Sequence, residues 1–436
     1  MKSKLLLLFL GLLLTGLLPL PAAAQLSALE LIRQNRYLSA SNYCPYPDSV
    51  NHPMTPPPAG KKAFYLSHYG RHGSRYLSNR KAYDIPYRIL HKADSLGKLT
   101  ETGKQVYAEI CNIINDSEDR WGDLSGLGKK QHRDIARRMT QRFPEIFEGN
   151  AFVDARSTIV TRCIISMGTA LQQLVAFNPR LTVSMRASVA DMWYLNHQDR
   201  QLRGNMMPPA AKKVWDDFCH PKVHNWRLMQ LLFTDTAYVR KDVDDVFLNY
   251  YLLKSALIQQ NTHMVKQSRI MELFTLEDIH RFWQEENAWW YICYGPSLLN
   301  GGHQPYTQRY LLRQMIQEAD SCMRLKRHGA SLRYGHETVV LPLVCLLGIN
   351  GFDFATADLS QVEAHGWWAC TVFPMASNVQ FVFYRENAYD EDVIFKVLLN
   401  EKEATLPLPT DIAPYYHWRD FREYYLRKLD AYDSRP

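Results

Sequence analysis

The chain has 436 residues, 46% of them hydrophobic and 22% charged, enough apolar material for one large domain or two of medium size. Its formal charge of +7 is a small excess for this length and lacks the clustered Lys/Arg runs of a nucleic-acid binder. The eight cysteines are scattered, with no Cys-x-x-Cys and no zinc spacing, which argues against a structural zinc module.

The first residues bear on the compartment. Met1-Lys2-Ser3-Lys4 is a short basic region, and Leu5 to Leu20 is leucine-rich. Pro21-Ala22-Ala23-Ala24-Gln25 then closes the stretch with small residues. This order predicts a secretory signal over residues 1–24, cut after Ala24, rather than a retained anchor. No later apolar run is long enough to span a bilayer. The expectation is a soluble mature protein, periplasmic or secreted, with no membrane partner and a formal charge lowered to +5 by loss of Lys2 and Lys4. In such a chain an even cysteine count permits disulfides, but spacing gives no pairing. Cys111 and Cys345 lie in apolar helical stretches where a buried free thiol fits equally well.

Residues 25–62 are irregular and proline-rich, with a short helix near 27–35. Ala63-Phe64-Tyr65-Leu66 reads as a buried strand leading into Tyr69-Gly70-Arg71-His72-Gly73-Ser74-Arg75-Tyr76, which turns at Gly73. Helices follow at 80–97 and 101–117, the second with an apolar stripe of Ile110, Ile113 and Ile114. Leu124-Ser125-Gly126-Leu127-Gly128 opens a helix over 127–143 whose charges read as a solvated face. A strand at 151–155, a helix at 157–177 and a strand at 181–185 complete this half. Residues 188–330 have helical periodicity, clearest at 247–259 and 276–290. Then come a strand at 331–334, a turn at 335–338, a helix at 339–348, strands at 379–384 and 393–399, and a terminal helix at 417–431.

Alternating strands and helices imply an α/β fold, a mostly parallel sheet sandwiched by helices. Its core comprises 25–187 and 331–436, with 188–330 inserted as a mainly α-helical domain.

Three segments share a strand–turn–helix setting, where open α/β sheets bind ligands beyond the carboxyl ends of their strands. Arg71, His72 and Arg75 lie on the first turn, Arg162 heads the second helix, and His336 with Glu337 opens the third. The arginines offer forks for phosphoryl oxygens and His336 a further contact. His72 is placed to attack phosphorus, and Glu337 to protonate the leaving alcohol and then activate water. Three guanidiniums do the neutralising, so neither a metal nor another cofactor is required. The partner is an anionic small-molecule phosphomonoester, not a nucleic acid; oligomeric state stays open. Taken singly, each residue is better read as structural or surface; the combination carries the expectation.

Arg71-His72-Gly73-Ser74-Arg75 resembles the signature of the histidine acid phosphatases, a branch of the histidine phosphatase superfamily that includes phytases and multiple inositol polyphosphate phosphatases. Val160-Thr161-Arg162, Gly335-His336-Glu337-Thr338, the Pro374-Met375-Ala376-Ser377-Asn378 run and Leu398-Leu399-Asn400-Glu401 are similar to later family segments, so the resemblance spans nearly the whole chain. It implies phosphomonoester hydrolysis through a phosphohistidine, an α/β core with an inserted α domain, and inositol polyphosphates as substrates. Two departures stand out. No proline follows Arg75-Tyr76, and the acid pair is His-Glu, neither His-Asp nor His-Ala-Glu. Asp199-Arg200-Gln201-Leu202-Arg203 and Lys212-Lys213 are the candidates for contacts to further phosphates. The alternatives are a broad acid phosphatase acting on sugar phosphates or nucleotides, and a non-catalytic phosphate-ligand binder on the same fold.

Overall fold

The computed structural model describes residues 27–48, 53–196, 199–219, 224–266 and 269–435; the expected signal over 1–24 lies outside them. Eight strands form one sheet: β1 Lys62–Arg71, β2 Phe152–Ser157, β3 Thr182–Ala187, β4 Gly329–Gly335, β5 Asn378–Arg385, β6 Ile394–Leu399, β7 Lys402–Ala404 and β8 Tyr416–His417. They run in the order β3-β2-β4-β1-β5-β6-β7, with β8 also on β6. β3, β2, β4 and β1 are mutually parallel, each reached through helices. β5 runs antiparallel to β1, and the helix-free connections from β5 to β6 and from β6 to β7 leave those pairs antiparallel as well.

Register explains why three distant segments meet. Arg71 at the end of β1 pairs with Gly335 at the end of β4, and Tyr334 pairs with Ser157 at the end of β2. The three carboxyl ends therefore finish level along one edge. β1 is central and buried along nearly its whole length, including Ser67, His68 and Arg71.

Apolar packing covers both faces of the sheet. On one, Tyr65, Tyr69, Phe381 and Phe395 pack with helices 309–324, 337–347 and 418–433. On the other, Leu66, Val153, Leu332 and Val382 pack with helices 126–142 and 161–177. A third cluster joins Leu90, Val106 and Ile110 of helices 81–95 and 101–117 to Leu252, Leu253 and Trp283 of helices 245–258 and 276–294. The apolar packing thus groups 81–117 with part of the expected insertion, while helix 309–324 of that insertion lies on the sheet. No helix among the described residues is long and apolar enough to cross a membrane.

Candidate active site

The loop after β1 is fixed by its neighbours before any side chain acts. The His72 N–H donates to the Gly335 carbonyl at 2.9 Å, and its own carbonyl accepts from the Ala376 N–H at 2.9 Å. The Gly73 N–H donates to Ser166 Oγ at 3.2 Å and the Ser74 N–H to Gln131 Oε1 at 2.8 Å. Ser74's carbonyl accepts from the Ser125 N–H at 2.9 Å and from its hydroxyl at 3.0 Å. Glycine is required here by close approach. A Cβ on Gly73 would stand 2.6 Å from Gly128 Cα, and one on Gly128 would run into the Ser74 carbonyl oxygen.

These supports were not among the residues singled out from sequence. The helix Gly126–Arg142 buries Gly128, Gln131, His132, Ile135, Ala136 and Met139 as one stripe. Its inward polar members grip the loop, so only its opposite side is the solvated face expected. The signal was present as helical spacing, once Gly128, Gln131 and His132 are counted with the apolar positions.

At the start of this loop, His72 is fully buried and its Nδ1 lies 2.9 Å from the Gly73 carbonyl. A carbonyl can only accept, so the proton sits on Nδ1 and leaves the Nε2 lone pair free. That Nε2 lies 3.4 Å from Glu337 Oε2. Burial holds the His72 imidazole well below its ordinary pKa, against the pull of Glu337 and with Arg71 and Arg162 adding to the depression, so it is neutral.

Glu337 opens the helix Glu337–Leu347, where the helix dipole favours a negative charge. Its Oε2 is 3.0 Å from Arg71 Nε and its Oε1 3.9 Å from Arg75 Nη2. Burial alone would raise its pKa, but Arg71, with Arg75 adding to it, holds it well below the carboxylate range. His336 is pushed down to about 4, chiefly by burial, and its ring lies 5.7 Å from that of His72. It contacts Thr158 Oγ1 at 3.3 Å.

Arg71 is fully buried; its Nη1 donates to the carbonyls of Asn42 at 2.5 Å and Phe373 at 2.8 Å. Burial lowers its pKa to about 10, which leaves it charged at neutral pH. Arg75 donates to the Tyr76 carbonyl at 2.9 Å and lies over the Tyr43 ring at 5.4 Å. Arg162 stands at the head of helix Thr161–Phe177, whose N-terminus has no side-chain cap. Its pKa is lowered by burial and then by Arg75, and Glu337 also acts on it, so it belongs to the same charged group. Arg71 Nη2, Arg75 Nε, Arg162 Nε, His72 Nε2 and Glu337 Oε2 are buried without a well-directed hydrogen-bond partner among the described residues. The unsatisfied guanidinium N–H groups among these call for an anionic acceptor.

All six residues singled out from sequence therefore come together in one buried cluster. His72, His336 and Glu337 offer ligand atoms within 4.8 Å of one another, the residue types of a metal triad. Three guanidiniums around them favour an anion over a cation there. Of the residues proposed to reach further phosphates, Arg203 acts on the Tyr294 hydroxyl, which also feels Glu337. Lys212 and Lys213 are engaged with Asp216 and Asp217 one helical turn away. Asp199 is paired with Arg309 at 2.8 Å. A cation that sequence reading missed is Lys254, 5.6 Å from the centre of the Tyr43 ring that Arg75 also overlies. It donates to the Tyr250 hydroxyl at 2.9 Å, which in turn donates to Glu286 at 2.6 Å.

Residues 70–400 match the family model of the histidine phosphatase superfamily, branch 2. The chain belongs to this family. The solved structures similar to it include a multiple inositol polyphosphate phosphatase of Bifidobacterium longum. Its complex with phosphate superposes with a TM-score of 0.73 at 18% identity, covering 90% of this chain and 98% of that one. Its complex with inositol hexasulfate gives 0.70 at 19% identity, over 89% and 97%. The phytase of D. castellii gives 0.67 at 13% identity, over 91% and 86%. These likenesses establish the fold. A curated relative, multiple inositol polyphosphate phosphatase 1 of Dictyostelium discoideum, is 28% identical over 105 residues, which is 23% of this chain and 16% of that protein.

Proposed function

We propose that this member of the phosphatase family hydrolyses phosphate monoesters through a phosphohistidine on His72, with inositol polyphosphates as the preferred substrates. The observation that carries the reading is the neutral His72 Nε2, its proton held on the far nitrogen by Gly73, facing Glu337 among three arginines. Arg71, Arg75 and Arg162 take the phosphoryl oxygens and neutralise them, with His336 as a further donor. Nε2 attacks phosphorus as the ester P–O bond breaks, and Glu337 gives its proton to the departing alkoxide. The resulting carboxylate then takes a proton from water as that water attacks the phosphohistidine, releasing phosphate and restoring His72.

An ionised Glu337 is a poor acid, so its pKa has to rise on binding. An arriving phosphoryl group does this by sharing the arginines and placing like charge beside the carboxylate. The missing residue in the His-Glu pair does not remove Glu337 from reach of Nε2, since helix 337–347 begins at the glutamate itself.

Support for a polyanionic substrate comes from Lys254 and Arg203, two cations beyond the three that clamp one phosphoryl group, and from the nature of the structural neighbours. Initial rates on phytate and on p-nitrophenyl phosphate, in chelator, for wild type and His72→Ala test the proposal. Dominant phytate turnover that disappears in the variant is expected. Equal or faster turnover of the small ester points to a broad acid phosphatase, and full activity in the variant removes His72 from the chemistry.

A further inference from the structure

We infer that β3 is the seam of a homodimer, in which two copies of this chain pair their β3 strands antiparallel about a two-fold axis and join two sheets into one. β3 is the outer strand of the sheet. β2 pairs with one side of it, and among the described residues nothing pairs with the other. All six of its residues are exposed. The free N–H and C=O groups of such an edge are a template for another strand, which proteins usually guard. Here the guards are absent. Thr182-Val183-Ser184-Met185-Arg186-Ala187 holds no proline, lysine or bulge, and its one charge, Arg186, is tied back to Asp191 at 2.6 and 2.5 Å.

The two faces of the strand differ. Val183 and Met185 stand in register with Val153 and Ala155, on the face that packs with helix 161–177. That helix leaves them uncovered: Met185 is 60% exposed, and Val183 and the helix's own Val175 are exposed as well. A Cβ on Gly168 of the helix would meet nothing within 4 Å. Val189 and Trp193, just past the strand, are 73% and 54% exposed. Apolar side chains gathered at an unpaired edge mark an interaction surface, unlike apolar residues scattered singly. Thr182, Ser184 and Arg186 point the other way, into a groove shared with Asp154 and Arg156.

A second copy fits because the edge is complementary to itself. A two-fold axis perpendicular to the sheet keeps like faces together, so one residue of β3 has to lie on the axis. With Ser184 there, Val183 lies opposite the partner's Met185, and Thr182 opposite the partner's Arg186. Apolar then meets apolar on one face and polar meets polar on the other. The two like charges stand four residues apart, roughly 13 Å along the strand and beyond the screening length. Placing Met185 on the axis would halve that separation. The area also suffices. An edge of six residues is roughly 20 Å long, and a sheet with helices on both faces is roughly 30 Å thick, so about 600 Å² of each copy is covered. The total, about 1,200 Å², is the lower end of stable interfaces. Antiparallel pairing sends the carboxyl ends of the two sheets in opposite directions, so the two His72 sites stay separate.

The pairing is independent of the chemistry at His72. Sedimentation equilibrium of the purified protein, at concentrations well above about 1 μM, should give twice the chain mass. Met185→Glu, a change at an exposed side chain, should give the single-chain mass with an unchanged circular dichroism spectrum. Ser184→Cys should be coupled into a covalent dimer by a short bis-maleimide reagent that leaves the wild type uncoupled. A single-chain mass for the wild type overturns the proposal, and so does a dimer that survives Met185→Glu. A dimer lost in Met185→Glu but not coupled through position 184 overturns the register centred on Ser184. A mass above two chains overturns the closed two-fold pairing.

Discussion

Replacing Glu337 by glutamine should separate binding from turnover. The carboxylate stands beside the position a bound phosphoryl group would take, 3.0 Å from Arg71 Nε and 3.4 Å from His72 Nε2. A phosphoryl group touching Nε2 would lie roughly 4–5 Å from it. At an effective dielectric of about 20, two unit charges at that distance repel by about 3–4 kcal/mol. If a third of this survives screening by the neighbouring guanidiniums, removing the charge tightens phosphate binding about tenfold. Losing the proton donor should meanwhile lower kcat by roughly 10²–10⁴. Calorimetric titration of inorganic phosphate at pH 7, with steady-state rates on p-nitrophenyl phosphate, reads both quantities in one preparation. Unchanged or weaker phosphate affinity in Glu337→Gln would refute the competition between carboxylate and substrate, even with kcat reduced.

Three further outcomes are expected. Gly128→Ala drives a Cβ into the backbone of the His72 loop, so it should cost about 1–3 kcal/mol and lower Tm, although alanine favours helices; a raised Tm with normal kcat contradicts the close packing. His132 and His336 are held near 4, and His68 near 3, mainly by burial. The unfolded chain, with histidines near 6.5, binds more protons between these values. Stability present above pH 6.5 should therefore be lost as pH falls toward 4, by about 1.4 kcal/mol per pH unit for each histidine. A flat Tm over that range would count against their neutral burial, and His132→Gln should reduce the slope by one proton. Lys254→Met should lower kcat/KM for phytate about tenfold or more, the worth of one charge-assisted contact, and leave p-nitrophenyl phosphate unaffected; equal loss on both substrates marks a structural role.

The grouping of the six candidate residues was legible because they sit at strand–turn–helix junctions, where the chain's own punctuation shows that side chains leave the core. Arg71 and His72 follow an apolar strand, and Glu337 precedes one of the most apolar helices in the chain. What supports them was not legible. Asn42 and Phe373 act through backbone carbonyls, which no side-chain pattern encodes. Gln131 and His132 are buried polar groups on a helix crowded with Lys and Arg, and their inward direction depends on a contact with Ser74 and Arg71 across the fold. Lys254 stands near the Tyr43 ring that Arg75 also overlies because helix 245–258 packs on helix 81–95, a pairing between segments some 160 residues apart that local periodicity cannot announce. The same limit applies to the sheet. Its parallel half follows from alternating strands and helices, whereas the antiparallel pairing of β5 with β6 depends on the helix-free connection between Arg385 and Ile394.

The central claim is that phosphate passes through His72. Reaction with ³²P-labelled substrate, quenched within the first turnover, tests it most directly. The account predicts a labelled protein that is stable in base, labile in acid, mapped to the peptide containing His72, and absent from His72→Ala. Substrate turnover with no trapped label, or label carried by another residue, would contradict it.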